Sequence, residues 1–212
     1  MIAAVAYYVL ITARRQAVLA PIFVFVAVIG IVYATDAGPA LAAATVPAAA
    51  LVPIGAWIMR LVAGVESKPF ADVTLVALGS QTRRHISRGL AAAIFGAGLC
   101  VVATLWARIA NPHPYPTGVV LTIVAMNLVL VVAGIGLGAL LSPPLGVTAG
   151  AGALAATIIV LVSLVVRFVP PIGPVLDAYL AHRTAGGPAL IEAAVVGFVA
   201  FGIAGRLARR AR

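Results

Sequence analysis

Glu66, Lys68, Asp72, Arg83, Arg84 and Arg88 are crowded into one polar stretch, ESKPFADVTLVALGSQTRRHISR, of a chain in which only 9% of residues are charged. Side chains of these types can do chemistry or recognise a partner. For nucleophilic catalysis, Gly79-Ser80 and His85 offer a hydroxyl and an imidazole. There is no Gly-x-Ser-x-Gly turn, however, and no acid that would orient the base is identifiable. For gripping nucleotide phosphates the chain would need a Gly-x-x-x-x-Gly-Lys-Ser/Thr loop, and it has none. For metal binding, His113 has no second His or Cys nearby. The single Cys100 excludes a CxxC pair, an internal disulfide and a cysteine cluster. Asp177, His182 and Arg183 form a second polar group, which reads as the watered side of a short surface helix rather than a catalytic set. With only Asp36, Asp72 and Asp177, the paired aspartates expected of a phosphoalcohol transferase are missing too. What remains for the stretch from Glu66 to Arg88 is recognition.

The elements that hold this stretch are apolar. With 64% hydrophobic residues and a mean hydropathy of +1.19, the chain has too little polar surface for a water-soluble globule, which makes it an integral membrane protein. Charges and Pro/Gly clusters delimit runs at Gln16 to Thr35, Ala37 to Met59, Gly89 to Ala107, Thr117 to Leu141, Leu145 to Val166 and Pro188 to Gly205. Each is close to the ~20 residues a helix needs to cross the bilayer. The runs are continuous rather than alternating, so helices are expected, not barrel strands. Ile2 to Thr12 is too short to cross and lacks the marks of a cleaved signal peptide. It is expected as an interfacial helix with Tyr7 and Tyr8 at headgroup level.

With six spans and an inner N-terminus, Arg14, Arg15, Arg60, Lys68, Arg83, Arg84, Arg88, Arg206, Arg209, Arg210 and Arg212 fall on the cytosolic side. Arg108, Arg167 and Arg183 fall outside. This bias puts both termini in the cytosol of a multi-pass cell-membrane protein. It also accounts for much of the net charge of +9 without nucleic acid as a partner.

Between the runs, Thr35 to Pro39 is a tight outer turn, NPHPYP (111–116) is a second one, and Ser142-Pro143-Pro144 is an inner one. Pro47 and Pro53 interrupt the second run. The bends they imply either line a cavity or are absorbed by neighbouring helices. Gly134, Gly136, Gly138, Gly146, Gly150 and Gly152 permit close helix approach. The 167–188 stretch is expected to carry a short outer helix at Val175 to His182. Glu192, about one turn into the last run, is expected to snorkel to the interface or to pair with Arg167 or Arg183.

Within the polar stretch, Leu75, Val76 and Leu78 form the apolar patch of a helix starting near Pro69 and stopped by Gly79, with the leucines expected to be exposed. Arg83, Arg84 and Arg88 lead into the next run. Such a helix suits docking by a soluble partner, although a solvated loop with topology-setting arginines would carry the same charges. The order of parts is a flat N-terminal helix, two spans with a tiny outer loop, a cytosolic helix, three spans, a helical outer excursion, a last span and a basic tail. Together with Glu66, the Leu75 to Gly79 patch and RRHISR (83–88), this order resembles the ABC-2 type permeases of ATP-binding cassette transporters. Heme-exporter permeases share the plan.

The resemblance covers the whole chain, 1–212, as a single permease domain. It implies an all-α protein of six transmembrane helices, an N-terminal interfacial helix, a cytosolic coupling helix between spans two and three, and a short outer helix between spans five and six. It further implies that Leu75, Val76, Leu78 and Gly79 dock on a separate ATPase, two copies of which carry the ATP and Mg. Glu66, Arg83 and Arg84 would set the docking angle. No cofactor is then bound by this chain, and no catalysis is expected of it. A second permease chain, identical or related, would complete a pathway near Pro47, Pro53, Trp57, Thr157 and Ser163. Export of a hydrophobic or amphipathic molecule is the implied direction. The rival readings are a substrate-binding membrane subunit of an uptake complex, a membrane-embedded enzyme and a channel.

Overall fold

The computed structural model describes residues 1–142, 147, 148, 151, 154, 155, 158, 173–181 and 187–210. In chain order these form α1 (Ile2–Ala13), a 3-10 turn (Gln16–Val18), α2 (Leu19–Val32), α3 (Ala40–Ala63), α4 (Lys68–Leu78), α5 (Gln81–Ala110), α6 (Thr117–Leu140), α7 (Gly173–Leu180) and α8 (Gly187–Arg210). Every described element is helical. The helices α3, α5, α6 and α8 are each long and apolar enough to cross a membrane, and the α1–α2 pair makes a fifth such unit if it is taken together. The chain thus has the character of a multi-pass membrane protein. The run expected over Leu145 to Val166 lies mostly outside the described residues, and Thr157, Ser163, Arg167, His182 and Arg183 lie outside them altogether.

Several boundaries differ from the sequence expectation. The first apolar run is helical from Leu19 to Val32, after a 3-10 turn at Gln16–Val18 and short of its expected end at Thr35, and α1 meets it at 85° as a separate helix. The exposed Arg14-Arg15 pair sits at this corner, where Arg15 leaves helical geometry and its guanidinium donates to the carbonyl of Val65. The third run begins eight residues earlier than its apolar content suggests, because Ser80 caps α5. The Ser80 backbone is extended and its Oγ accepts from the Arg83 N–H at 3.1 Å. Arg83, Arg84 and Arg88 are therefore helical residues of α5, not a lead-in. The short helix of the 167–188 stretch runs Gly173–Leu180, two residues upstream of its expected start.

The centre of the bundle is α3, whose residues from Ala40 to Ala63 are mostly buried although Pro47 and Pro53 lie inside it. It is helical throughout, so neither proline ends it. Leu51, Ile58, Met59 and Val62 pack with Phe25 and Ile29 of α2 and with Ala91, Ala92 and Leu99 of α5. Its N-terminal half packs Ala44, Ala48 and Val52 against Ile123, Met126 and Leu130 of α6 and Val175 and Ala178 of α7.

The contacts among α3, α6 and α8 are made backbone to backbone. A Cβ on Gly134 would fall 2.5 Å from the carbonyl oxygen of Val52, and one on Gly138 would collide with that of Ala56. On the other side of α6, a Cβ on Gly136 would strike the carbonyl of Gly197, and one on Gly197 would lie 2.9 Å from that of Val132. Small residues are needed here because lipid supplies no hydrophobic push between helices, and dispersion grows only as backbones approach. The glycines of α6 therefore act on two faces, 134 and 138 toward α3 and 136 toward α8.

Candidate functional site

The polar stretch builds a buried junction with an exposed helix above it. Glu66 follows the end of α3, and its side chain has no solvent exposure. Both carboxylate oxygens are engaged. Oε2 accepts from Arg88 Nη2 at 2.6 Å and from the Tyr8 hydroxyl at 3.1 Å, while Oε1 lies 2.6 Å from Thr74 Oγ1. The Arg88 guanidinium also lies over the Tyr8 ring, 5.3 Å from its centroid. Tyr7 lies beside Thr74 and Glu66, with its ring edge-on to Tyr8. One carboxylate thus joins α1, α4 and α5 where α3 ends. Such a group is tolerated out of water only because a cation and hydrogen-bond donors surround it.

Above the junction, α4 begins after Ser67, has Pro69 in its first turn and ends at Gly79, whose φ of 68° is left-handed. Ser67 and Ser80, at its two ends, are both extended. Two polar links hold its inner face: Thr74 to Glu66, and the carbonyl of Ala71 to Arg84 Nη1 at 2.7 Å, with Arg84 Nη2 also donating to Gln81 Oε1. Its outer face carries Phe70, Val73 and Val76, which are 66%, 67% and 82% exposed. Their spacing of three residues places them along one stripe of the helix.

The sequence-derived site residues divide accordingly. Val76 is the most exposed large apolar residue of α4, and Gly79 and Arg83 are also exposed. Leu75 and Leu78 are half-buried on the inner side, contrary to the expectation that the leucines face outward. The apolar outer stripe is completed by Phe70 and Val73, which were not singled out from sequence. Counting back from Val76 in steps of three would have found both. Arg84 and Arg88 are buried and hydrogen-bonded rather than solvated charges that merely set topology.

Of the pathway candidates, Pro47 is buried, Pro53 is half-buried and Trp57 is 37% exposed, all on α3. The other polar candidates are separated. Ser80 is engaged in capping α5. The His85 ring stacks on Phe201 at 4.0 Å, and its Nε2 lies 2.9 Å from the Phe201 carbonyl oxygen. Gly89 and Gly205 leave the space that this His85–Phe201 contact occupies. Ser80 and His85 therefore do not form a nucleophile–base pair.

At the opposite end of the bundle, His113 Nε2 and Asp36 Oδ1 are 3.0 Å apart, and Asn111 Nδ2 reaches the carbonyl of Gly38 and the Tyr115 hydroxyl. These bonds join the α2–α3 and α5–α6 turns. The Gly38 N–H donating to Asp36, followed by His113 beside it, holds the Asp36 carboxyl below its ordinary range. Among the described residues no group of three or more His, Cys, Asp and Glu is placed to hold a metal ion. Glu192 is exposed on α8.

Comparison with protein-family models, curated proteins and solved structures finds no match to this chain.

Proposed function

We propose that this chain is the permease subunit of an ATP-binding cassette transporter, with α4 as the helix on which a separate ATPase docks. The observation that carries the reading is the exposed Phe70–Val73–Val76 stripe on a short helix whose other face is seated on the bundle by polar links at Glu66 and Arg84. An apolar stripe displayed by a charged, firmly seated segment suits insertion into a partner's groove.

The arrangement of the described helices supports a six-span topology. The N-terminal α1, the basic end of α8, α4 and the start of α5 all gather at one end of the bundle. They are linked there by the Tyr8–Glu66 and His85–Phe201 contacts. Thr148, whose carbonyl accepts from Arg60 near the end of α3, also belongs to that end. Val175 and Ala178 pack at the other end, beside the start of α3. In the proposal, the apolar run read from the sequence over Leu145 to Val166 is taken as the span between them. The excess of basic residues at the α4 end supports a cytosolic position for it. In this reading α1 lies in the interface, at right angles to α2, and α7 is the outer helix.

The resemblance of the part order to ABC-2 permeases supplies the rest of the proposal. Two ATPase copies carry ATP and Mg, and a second permease chain, identical or related, completes the pathway. A hydrophobic or amphipathic cargo is exported. Val76 and Gly79 belong to the docking face, with Phe70 and Val73 added to it. Leu75, Leu78, Glu66 and Arg84 seat the helix from behind, and Arg83 stands at its exposed rim.

The test is purification of the full chain from its native membrane to see whether an ATP-binding cassette protein is recovered with it, followed by ATPase and transport assays. Val76→Glu is expected to abolish association or uncouple hydrolysis while leaving the permease folded, because the substituted side chain is already in solvent. Retained coupling in Val76→Glu and Val73→Glu, or recovery of the chain with no ATPase associating, would sink the reading.

A further inference from the structure

Three facts about the Glu66 junction belong together. First, Thr74 Oγ1 lies 2.6 Å from Glu66 Oε1 and 2.8 Å from the carbonyl oxygen of Phe70, one turn back in its own helix. A hydroxyl has a single hydrogen, so it can serve only one of these acceptors at a time. Second, no described side chain of α4 is fully buried, and both of its ends are extended or left-handed joints. Third, the other oxygen of Glu66 is held by α1 and α5 through Tyr8 and Arg88.

From these we infer that the Glu66 carboxylate is a releasable latch, and that Thr74 and Tyr8 are positioning residues that tie the pose of α4 to the seat of α1. When α4 swings outward, the Thr74 hydroxyl turns to the Phe70 carbonyl, so the helix leaves with no orphaned donor. Oε1 of Glu66 then loses a partner while its ion pair with Arg88 persists. A carboxylate oxygen left bare in a buried setting draws the remaining donors toward it. The donors near it are the Tyr8 hydroxyl already on Oε2 and Tyr7 beside Thr74 and Glu66, both on α1, and the guanidinium of Arg88 on α5. Motion of α4 is thereby passed to α1.

Glu66 cannot move freely in response. It follows α3 directly, and the neighbouring carbonyl of Val65 is held by Arg15. The latch therefore changes partners around a fixed carboxylate rather than sliding as a unit. Nearby, Thr12 Oγ1 of α1 and Ser87 Oγ and Arg88 Nε of α5 are buried without a partner, so the α1–α5 contact holds spare hydrogen-bonding capacity for a second arrangement.

The experiment measures two distances in the full chain reconstituted in lipid nanodiscs. Spin labels are placed at Val76→Cys on α4, Leu10→Cys on α1 and Ile109→Cys at the far end of α5. All three sites are exposed, and the native thiol is removed by Cys100→Ala. The Val76–Ile109 distance reports α4 and the Leu10–Ile109 distance reports α1. Thr74→Val is expected to broaden and shift the α1 distance as well as the α4 distance, and Tyr8→Phe to shift the α4 distance as well as the α1 distance. Thr74→Ser, which restores the hydroxyl, is expected to return both to wild type. A residue with a merely structural role would disturb its own helix without the crossed effect. Variants that alter only their own helix, or neither, overturn the inference. If either variant fails to fold, Thr74→Ala, which removes the hydroxyl and leaves the Glu66–Arg88 pair intact, must show the same crossed shifts. No ATPase is present in the measurement, so its outcome stands apart from the transporter reading.

Discussion

Two joints hold this molecule together, and they are opposites in their chemistry. Along the seam of α3, α6 and α8, backbones touch through Gly134, Gly136, Gly138 and Gly197, with little side chain between them. At the α4 end, four segments meet through the long polar side chains of Tyr8, Thr74, Arg88 and Glu66. The seam has little room for added atoms, since a Cβ on any of these glycines would meet the backbone of the neighbouring helix. The junction consists of hydrogen bonds that can open and re-form with new partners. A membrane protein that must both hold its shape and respond at one end needs both kinds of joint, and here they are spatially separate.

The largest effect should come from breaking the ion pair at the junction. Arg88→Ala leaves the carboxylate of Glu66 buried without its cation, an imbalance that costs ~3–5 kcal/mol. Loss of folded monomer in a detergent thermal-unfolding assay checks it. The comparison sharpens in the double variant Glu66→Leu/Arg88→Met, which removes both charges and should be markedly more stable than Arg88→Ala. A double variant no better than the single would mean that shape, not charge, holds the junction.

At the seam, Gly136→Ala adds one methyl group against the Gly197 carbonyl. Because the obstacle is backbone and cannot rotate away, overpacking of about 1–3 kcal/mol is expected. Gly202→Ala on α8, where no atom lies within 4 Å, is the control and should be close to neutral or slightly stabilising. Equal effects at the two positions would show that the seam is looser than its geometry implies.

The smallest effect belongs to the far end. The folded Asp36 carboxyl is held below its ordinary range by the Gly38 N–H and then by His113. A depressed carboxyl contributes stability above its unfolded value, near pH 4, and loses that contribution as pH falls through the folded value. Asp36→Asn should therefore be slightly less stable than wild type at neutral pH, and the two should converge on acidification. A pH-independent difference would remove Asp36 from the account.

Much of the fold was legible in the sequence because bilayer-length apolar runs admit few structures. The runs that became α3, α5, α6 and α8 were visible from hydropathy, and Gly79 marked the end of α4 through ordinary capping chemistry. The glycines of α6 signalled close approach. Which face meets α3 and which meets α8 is a matter of helix phase, and that depends on where the partners lie.

Less of the candidate site could be read in advance. Glu66, Arg84 and Arg88 stood out as charges in an oily chain, but their types do not say whether they face water. Arg88 is 22 positions from the acid it neutralises and Tyr8 is 58 positions from it. No local period links residues so far apart. Leu75 looked like an outer residue and Phe70 did not, because α4 is apolar on more than one side and only its neighbours decide which side is covered. The sequence by itself determined a helical, membrane-embedded chain with one polar stretch between two apolar helices, since composition and run length follow from solvent preference alone. Only the tertiary structure decided that this stretch is a buried carboxylate junction under an exposed Phe70–Val73–Val76 stripe, since burial and charge pairing belong to the assembled helices.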